Sequence, residues 1–90
     1  MPLMIVRHKV KDFAVWKTAF DSHKSAQASA GLSNPRVFRS ADDPNEIVVL
    51  FDAQDIAKAK AFGAAADLKA SMMAAGVIDK PDAYFLNPAG

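Results

Sequence analysis

Two histidines, His8 and His23, and one tryptophan, Trp16, are the residues of this 90-residue chain whose chemistry is hardest to explain by solubility alone. His8 alternates with Met4, Val6 and Val10, so in an extended segment it shares a face with three apolar side chains. An imidazole there is either a satisfied structural group or a neutral base able to accept a phenolic or carbon-acid proton near pH 7. Phe13, Trp16, Phe20, His23 and Gln27 recur at steps of three and four, the spacing of one helical face. That stripe sets His23 on the same face as two candidate walls for a ligand, Trp16 and Phe20, though core packing is the expected role of aromatic pairs at this spacing. Phe62 is a further aromatic candidate. Tyr84, the single tyrosine, would bring a hydroxyl that needs a partner wherever it is buried, but a strand tyrosine is more commonly an edge or interface residue. Met72 and Met73 are expected to fill gaps beneath a helix.

Other chemistries lack their groups. Two histidines without a carboxylate at matched spacing fall short of a metal site, so no metal is expected. With no cysteine there is no thiolate catalysis and no thiolate-held cluster, and the glycines are too dispersed for a phosphate-cradling loop or a dinucleotide fingerprint. No cofactor is expected. Net charge is +1 and the basic residues are scattered, with only Arg7, Lys9 and Lys11 alternating, which argues against nucleic acid as a partner. The apolar run from Pro2 to Val6 is too short for a signal-peptide core and its charges follow it, so neither export nor membrane insertion is expected and the location should be cytoplasmic. Arg7 and Lys9 could attract an anion or stay solvated at a rim.

The elements that must position these groups follow from patterning. Leu3 to Val10 is rich in large and β-branched residues and reads as a strand. Asp12 caps a helix over about 13–30 that stops at Gly31 followed by Leu32. Residues 36–52 read as a hairpin around Asp42-Asp43-Pro44-Asn45, with Glu46 to Asp52 its stronger strand. Asp52 or Asp55 caps a second helical region that ends at Gly76 and loses its apolar phase between Gly63 and Asp67, where Asp67 could cap a second piece. Ala83 to Asn87 is a last strand after Asp79-Lys80-Pro81-Asp82. The order β-α-β-β-α-β predicts one domain over residues 1–90, α+β and ferredoxin-like, with a four-stranded antiparallel sheet and helices on one face.

Both faces of the central strands are apolar: Ile47, Val49 and Phe51 oppose Val48 and Leu50, and Leu3 and Ile5 oppose Met4 and Val6. Two helical regions can cover one face of such a sheet. The other face calls for a second copy, and a chain this short buries only about 60–65% of its unfolded surface alone. A homodimer through the sheet face is therefore expected.

Three stretches, VRHKVKDFAVWKTAF, DDPNEIVVLFD and DLKASMMAAGVIDKPDAYFLNP, resemble the dimeric α/β-barrel superfamily, in particular antibiotic biosynthesis monooxygenase domains, over essentially the whole chain. The resemblance implies sheets of two protomers packed into a shared barrel, with a pocket between sheet and helices in each. It implies a cofactor-independent monooxygenase acting on an aromatic or hydrophobic metabolite, with His8 as proton acceptor, Tyr84 as hydrogen-bonding orienter, and Trp16, Phe20, His23 and Phe62 about the substrate. A non-catalytic ligand-binding or stress-associated dimer, and an isomerase or cyclase working by proton transfer, remain alternatives within the same resemblance. Its haem-degrading branch relies on an asparagine in the first strand and on a tryptophan and histidine in and after the second helix. This chain has Arg7 and His8 in that strand and no tryptophan or histidine beyond residue 23.

Overall fold

A computed structural model describes residues 1–90 and gives the order β1 (Leu3–Lys9), α1 (Phe13–Ser22), α2 (Lys24–Ser29), β2 (Leu32–Arg39), β3 (Glu46–Ala53), α3 (Ile56–Ala64), α4 (Ala66–Ala74) and β4 (Asp82–Leu86). The strands form one antiparallel sheet in the order β2-β3-β1-β4, the ferredoxin-like arrangement that the pattern predicts. The helices lie on one side, because burial in the central strands alternates strictly: Met4, Val6 and His8 of β1 and Ile47, Val49, Phe51 and Ala53 of β3 are buried, while the residues between them are not.

Local chemistry explains most boundaries. The Asp12 carboxylate accepts hydrogen bonds from the Ala14 and Val15 amides at 2.9 and 3.3 Å, and Asp55 does the same for Ala57 and Lys58 at 2.8 and 3.3 Å, fixing the starts of α1 and α3. Gly76, at φ +90°, closes α4: its own amide donates to the Met73 carbonyl and the Val77 amide donates to Met72. β1 stops at Lys9, and Val10 makes only an isolated bridge to Val77.

Three expectations are corrected. The first helix is two helices, because the Ala19 carbonyl that should receive the His23 amide is taken by side chains instead. The Ser22 hydroxyl and His23 Nδ1 both donate to it at 2.7 Å, and the His23 amide turns to the Phe20 carbonyl. β2 starts at Leu32 rather than Arg36. Asn34, at φ +50°, and Pro35 form a bulge between the Ser33–Asp52 and Arg36–Leu50 pairs, and an edge strand tolerates the missing proline donor. The second helical region breaks where expected, but Ala65 in extended backbone separates the two pieces. Asp67 sits inside the first turn of α4 and is not its cap.

The core comprises Met4, Val6, Val10, Trp16, Leu32, Ile47, Val49 and Phe51 together with small residues, and only 14 of 90 residues are buried, so little of this chain is dry on its own. The face of the sheet away from the helices carries Phe38, Tyr84 and Leu86, exposed by 55, 54 and 43%, beside half-buried Leu3, Ile5, Val48 and Leu50. No helix is long and apolar enough to cross a membrane.

Candidate functional site

A cavity of about 400 Å³ opens between the sheet and the helices. Its floor comes from the buried face of the central strands, with Met4, Val6 and His8 from β1 and Val49 and Phe51 from β3. One wall is the stripe along α1 and α2, Trp16, Phe20, His23 and Gln27; the opposite wall is Phe62 of α3 with Leu68 and Met72 of α4. Most of this lining is apolar, so each polar group on it is a specific feature.

His8 is the first of them. It is 2% exposed, and neither ring nitrogen has a hydrogen-bond partner in the protein. Its ring lies 5.5 Å from that of Trp16, tilted by 56°. An unpaired buried polar group of this kind costs about 1–3 kcal/mol, which the fold tolerates at a cavity wall and nowhere else in its core. Burial drives the imidazole below its ordinary pKa of 6.5; the nearby Asp79 charge pulls it back and Arg7 pushes it further down. His8 is therefore a neutral ring at pH 7, with a lone pair able to take a proton.

The aromatic wall is stacked. Trp16 and Phe20 lie 4.9 Å apart at 23°, Phe20 lies 6.0 Å from Phe51, and Phe13 extends the row from 5.9 Å beyond Trp16 with the Arg39 guanidinium over its outer face at 4.1 Å. His23 reaches the cavity from the junction of α1 and α2. A carbonyl has no proton to give, so the 2.7 Å contact with Ala19 fixes the hydrogen on Nδ1 and leaves Nε2 as an acceptor in the neutral ring. Gln27, buried at 7% exposure, contributes an amide to the same wall.

At the edge of β1, Asp79 accepts the Lys9 amide at 2.7 Å and the Arg7 guanidinium at 2.9 Å. Those two contacts, the amide foremost, hold its carboxyl below the usual value against the opposing effect of burial. Arg7 also donates to Glu46 at 3.0 Å and Asp82 at 2.9 Å, so its guanidinium is raised above its ordinary pKa by Asp79 and Asp82. Arg7 is thus neither a free anion receptor nor merely solvated.

The structure brings His8, Trp16, Phe20, His23 and Phe62 to one cavity and leaves Tyr84 outside it. β4 begins at Asp82, so Ala83 and Phe85 turn to the helices, while Tyr84, paired with Ile5, lies on the open face. Its hydroxyl cannot orient a ligand in this cavity. Met72 and Met73, expected to fill gaps beneath a helix, both line the cavity instead, and Met73 is 77% exposed. Gln27, Lys69, Asp79 and Lys80 line the cavity without having been singled out. For Gln27 the signal was present, a polar residue ending an aromatic stripe; the other three converge only in three dimensions. No group of three or more His, Asp or Glu side chains is gathered as for a metal ion.

No protein-family model and no curated protein sequence matches the chain. Solved structures do. An antibiotic biosynthesis monooxygenase is 13% identical with a TM-score of 0.72, all of each chain being covered. SnoaB, a cofactor-independent oxygenase from Streptomyces nogalater, is 15% identical with a TM-score of 0.73 over 99% of this chain and 94% of that one. A monooxygenase from Streptomyces coelicolor, solved in complex with nanaomycin D, is 17% identical with a TM-score of 0.63 over 99 and 88%. At such identities the likeness is one of architecture, and over its whole length this chain has the ferredoxin-like fold of the antibiotic biosynthesis monooxygenases.

Proposed function

We propose that the protein is a cofactor-independent monooxygenase that holds a flat, ring-bearing metabolite in the cavity between sheet and helices. The observation that carries this reading is His8: a neutral, desolvated imidazole whose nitrogens no protein group engages, set in an aromatic-walled cavity. The shared fold with a cofactor-independent oxygenase supports it.

In this reading Trp16 and Phe20 stack against the substrate and His8 takes a proton from an acidic ring carbon or phenol. The resulting anion is electron-rich enough to reduce oxygen itself. Conversion of a ring CH₂ to a carbonyl releases the electrons that O₂ needs to place one oxygen in the product and the other in water, so no external reductant enters. The apolar walls exclude water from the anion. His23 Nε2 and the Gln27 amide are the groups placed to position hydroxyl or carbonyl substituents.

The protein acts as a homodimer through the open sheet face. Three rows of paired residues cross that face, and their apolar members, Phe38 and Val48, Leu50, Ile5 and Tyr84, Leu3 and Leu86, form one continuous band. A second copy buries this band and adds to a thin core.

Oxygen uptake by the purified protein with anthrone-type compounds, alongside Trp16 fluorescence, tests the reading. Uptake that disappears in His8→Ala while the compound still quenches Trp16 is the expected result. Quenching without uptake by the wild-type protein overturns the oxygenase and leaves a binding protein, or a proton-transfer isomerase if the compound is rearranged.

A further inference from the structure

The end of β1 is closed by a side chain where a backbone carbonyl is expected. Val10 bridges Val77 in antiparallel fashion, and the Ile78 amide donates to the Lys9 carbonyl at 2.9 Å. Residues paired in this way ordinarily exchange both of their bonds. Here the return bond is diverted, because the Lys9 amide donates at 2.7 Å to Oδ1 of Asp79 rather than to the Ile78 carbonyl. That amide belongs to the peptide joining His8 to Lys9, so a carboxylate is seated against the backbone of the residue whose imidazole has no partner.

The charge at this point is not neutralised. Arg7 holds the other Asp79 oxygen at 2.9 Å but also serves Glu46 and Asp82, so three carboxylates share one cation. Lys9 is engaged with Asp43 at 3.7 Å. Lys69 and Lys80 reach the cavity lining but are exposed, where water and salt screen them, and His23 belongs to the helical wall. Of these acids Asp79 alone lies on the cavity lining with His8. A donor on each oxygen fixes its carboxylate in place and holds it below the ordinary carboxylate value, so it is charged wherever His8 titrates. Asp79 makes no hydrogen bond to the imidazole and acts on it through space.

We infer that Asp79 is a positioning residue for His8: its fixed carboxylate stabilises the imidazolium that forms when His8 takes a proton from the substrate. This rests on the reading of His8 as the proton acceptor and adds what keeps so buried a ring basic. In that step the substrate's proton moves to an imidazole nitrogen, the bonding pair stays on the substrate, and a positive ring appears in a mostly apolar wall. Burial alone makes such a charge costly. A carboxylate set in place beforehand offsets the cost without rearranging as the charge appears. Arg7 works in the opposite sense, disfavouring the cation that Asp79 favours.

Asp79→Asn and Arg7→Met test this together, since both break the same ion pair but change the charge beside His8 in opposite directions. In nitrogen-15-labelled protein the His8 ring signals, identified by their loss in His8→Ala, report the imidazolium fraction at one mildly acidic pH at which circular dichroism shows every variant folded. That fraction should fall below the wild type's in Asp79→Asn and rise above it in Arg7→Met. In oxygen uptake with anthrone, Asp79→Asn should lower kcat at pH 7 by about three- to thirtyfold, less than loss of the base itself. It should also move the acid limb of the pH–rate profile to lower pH, and Arg7→Met should move that limb to higher pH. Equal imidazolium fractions in the three proteins, zero in all included, or a change of the same sign in both variants, overturns the inference and leaves Asp79 a structural partner of Lys9 and Arg7. Opposite changes in a protein that takes up no oxygen support the coupling of Asp79 to His8 while overturning the oxygenase reading.

Discussion

Arg7 and His8 are neighbours on one strand, and the fold treats their polar atoms in opposite ways. The pleat sends Arg7 to the open face of the sheet, where three carboxylates from β3, β4 and the turn before β4 meet its guanidinium at 2.9–3.0 Å. It sends His8 to the helix side, where neither nitrogen meets anything in the protein. A group with every guanidinium nitrogen bonded to a carboxylate from a different element is there to hold elements together. One left unmatched inside an otherwise apolar wall is costly to keep unless something outside the chain uses it. Asp79 joins the two regions, since it binds Arg7 and also lines the cavity.

The contrast is broken most directly at His8. His8→Ala should lower turnover by about 10²–10⁴-fold, the usual contribution of a positioned general base, and the folded protein should still bind the substrate. Turnover within a few fold of wild type would return His8 to the core. The next largest effect belongs to the open face: Leu50→Glu places a charge in the centre of the apolar band and should weaken dimerisation by at least about a hundredfold. Light scattering across a dilution series reads this; a dimer as tight as the wild type's would show that the band is not the interface. Arg7→Met sharpens the structural side. It leaves Glu46, Asp79 and Asp82 without their shared cation and should reduce stability by about 1–2 kcal/mol, a figure kept low because these groups are partly exposed. Urea unfolding at one protein concentration measures it, and an unchanged midpoint would mean that the cluster is ornamental to the fold.

How these regions could be read in advance depended on whether their cause was local. The aspartate caps at residues 12 and 55, the glycine stops at 31 and 76 and the alternation along β1 and β3 each rest on a few adjacent residues, and the ferredoxin-like order follows from them. The break at His23 was hidden because it depends on two side chains competing for one carbonyl. The face of Tyr84 was hidden for another reason: in Ala83-Tyr84-Phe85-Leu86 both alternating sets are largely apolar, so only the pairing with β1 decides which points to the helices. The aromatic half of the cavity lay along a single helical stripe and was legible. Lys69, Asp79 and Lys80 come to the lining from separate elements and converge only when the chain is folded.

The smallest expected effect is a pH slope, and it isolates the cost of the unmatched imidazole. Burial lowers the His8 pKa in the folded state, whereas the unfolded chain titrates near the ordinary 6.5. As pH falls through that value the unfolded state takes up a proton that the folded state refuses, so stability must fall with decreasing pH. The slope reaches at most about 1.4 kcal/mol per pH unit and flattens once the folded pKa is passed. In His8→Leu this contribution is absent. Wild-type stability minus that of His8→Leu should therefore decline from about pH 7 to about pH 5 at one fixed protein concentration. At pH 7 the leucine variant should equal or exceed the wild type, since it replaces a buried ring with no partner by a side chain that needs none. Parallel pH profiles for the two proteins would mean that the imidazole is satisfied in solution, and the contrast between residues 7 and 8 would lose its energetic basis.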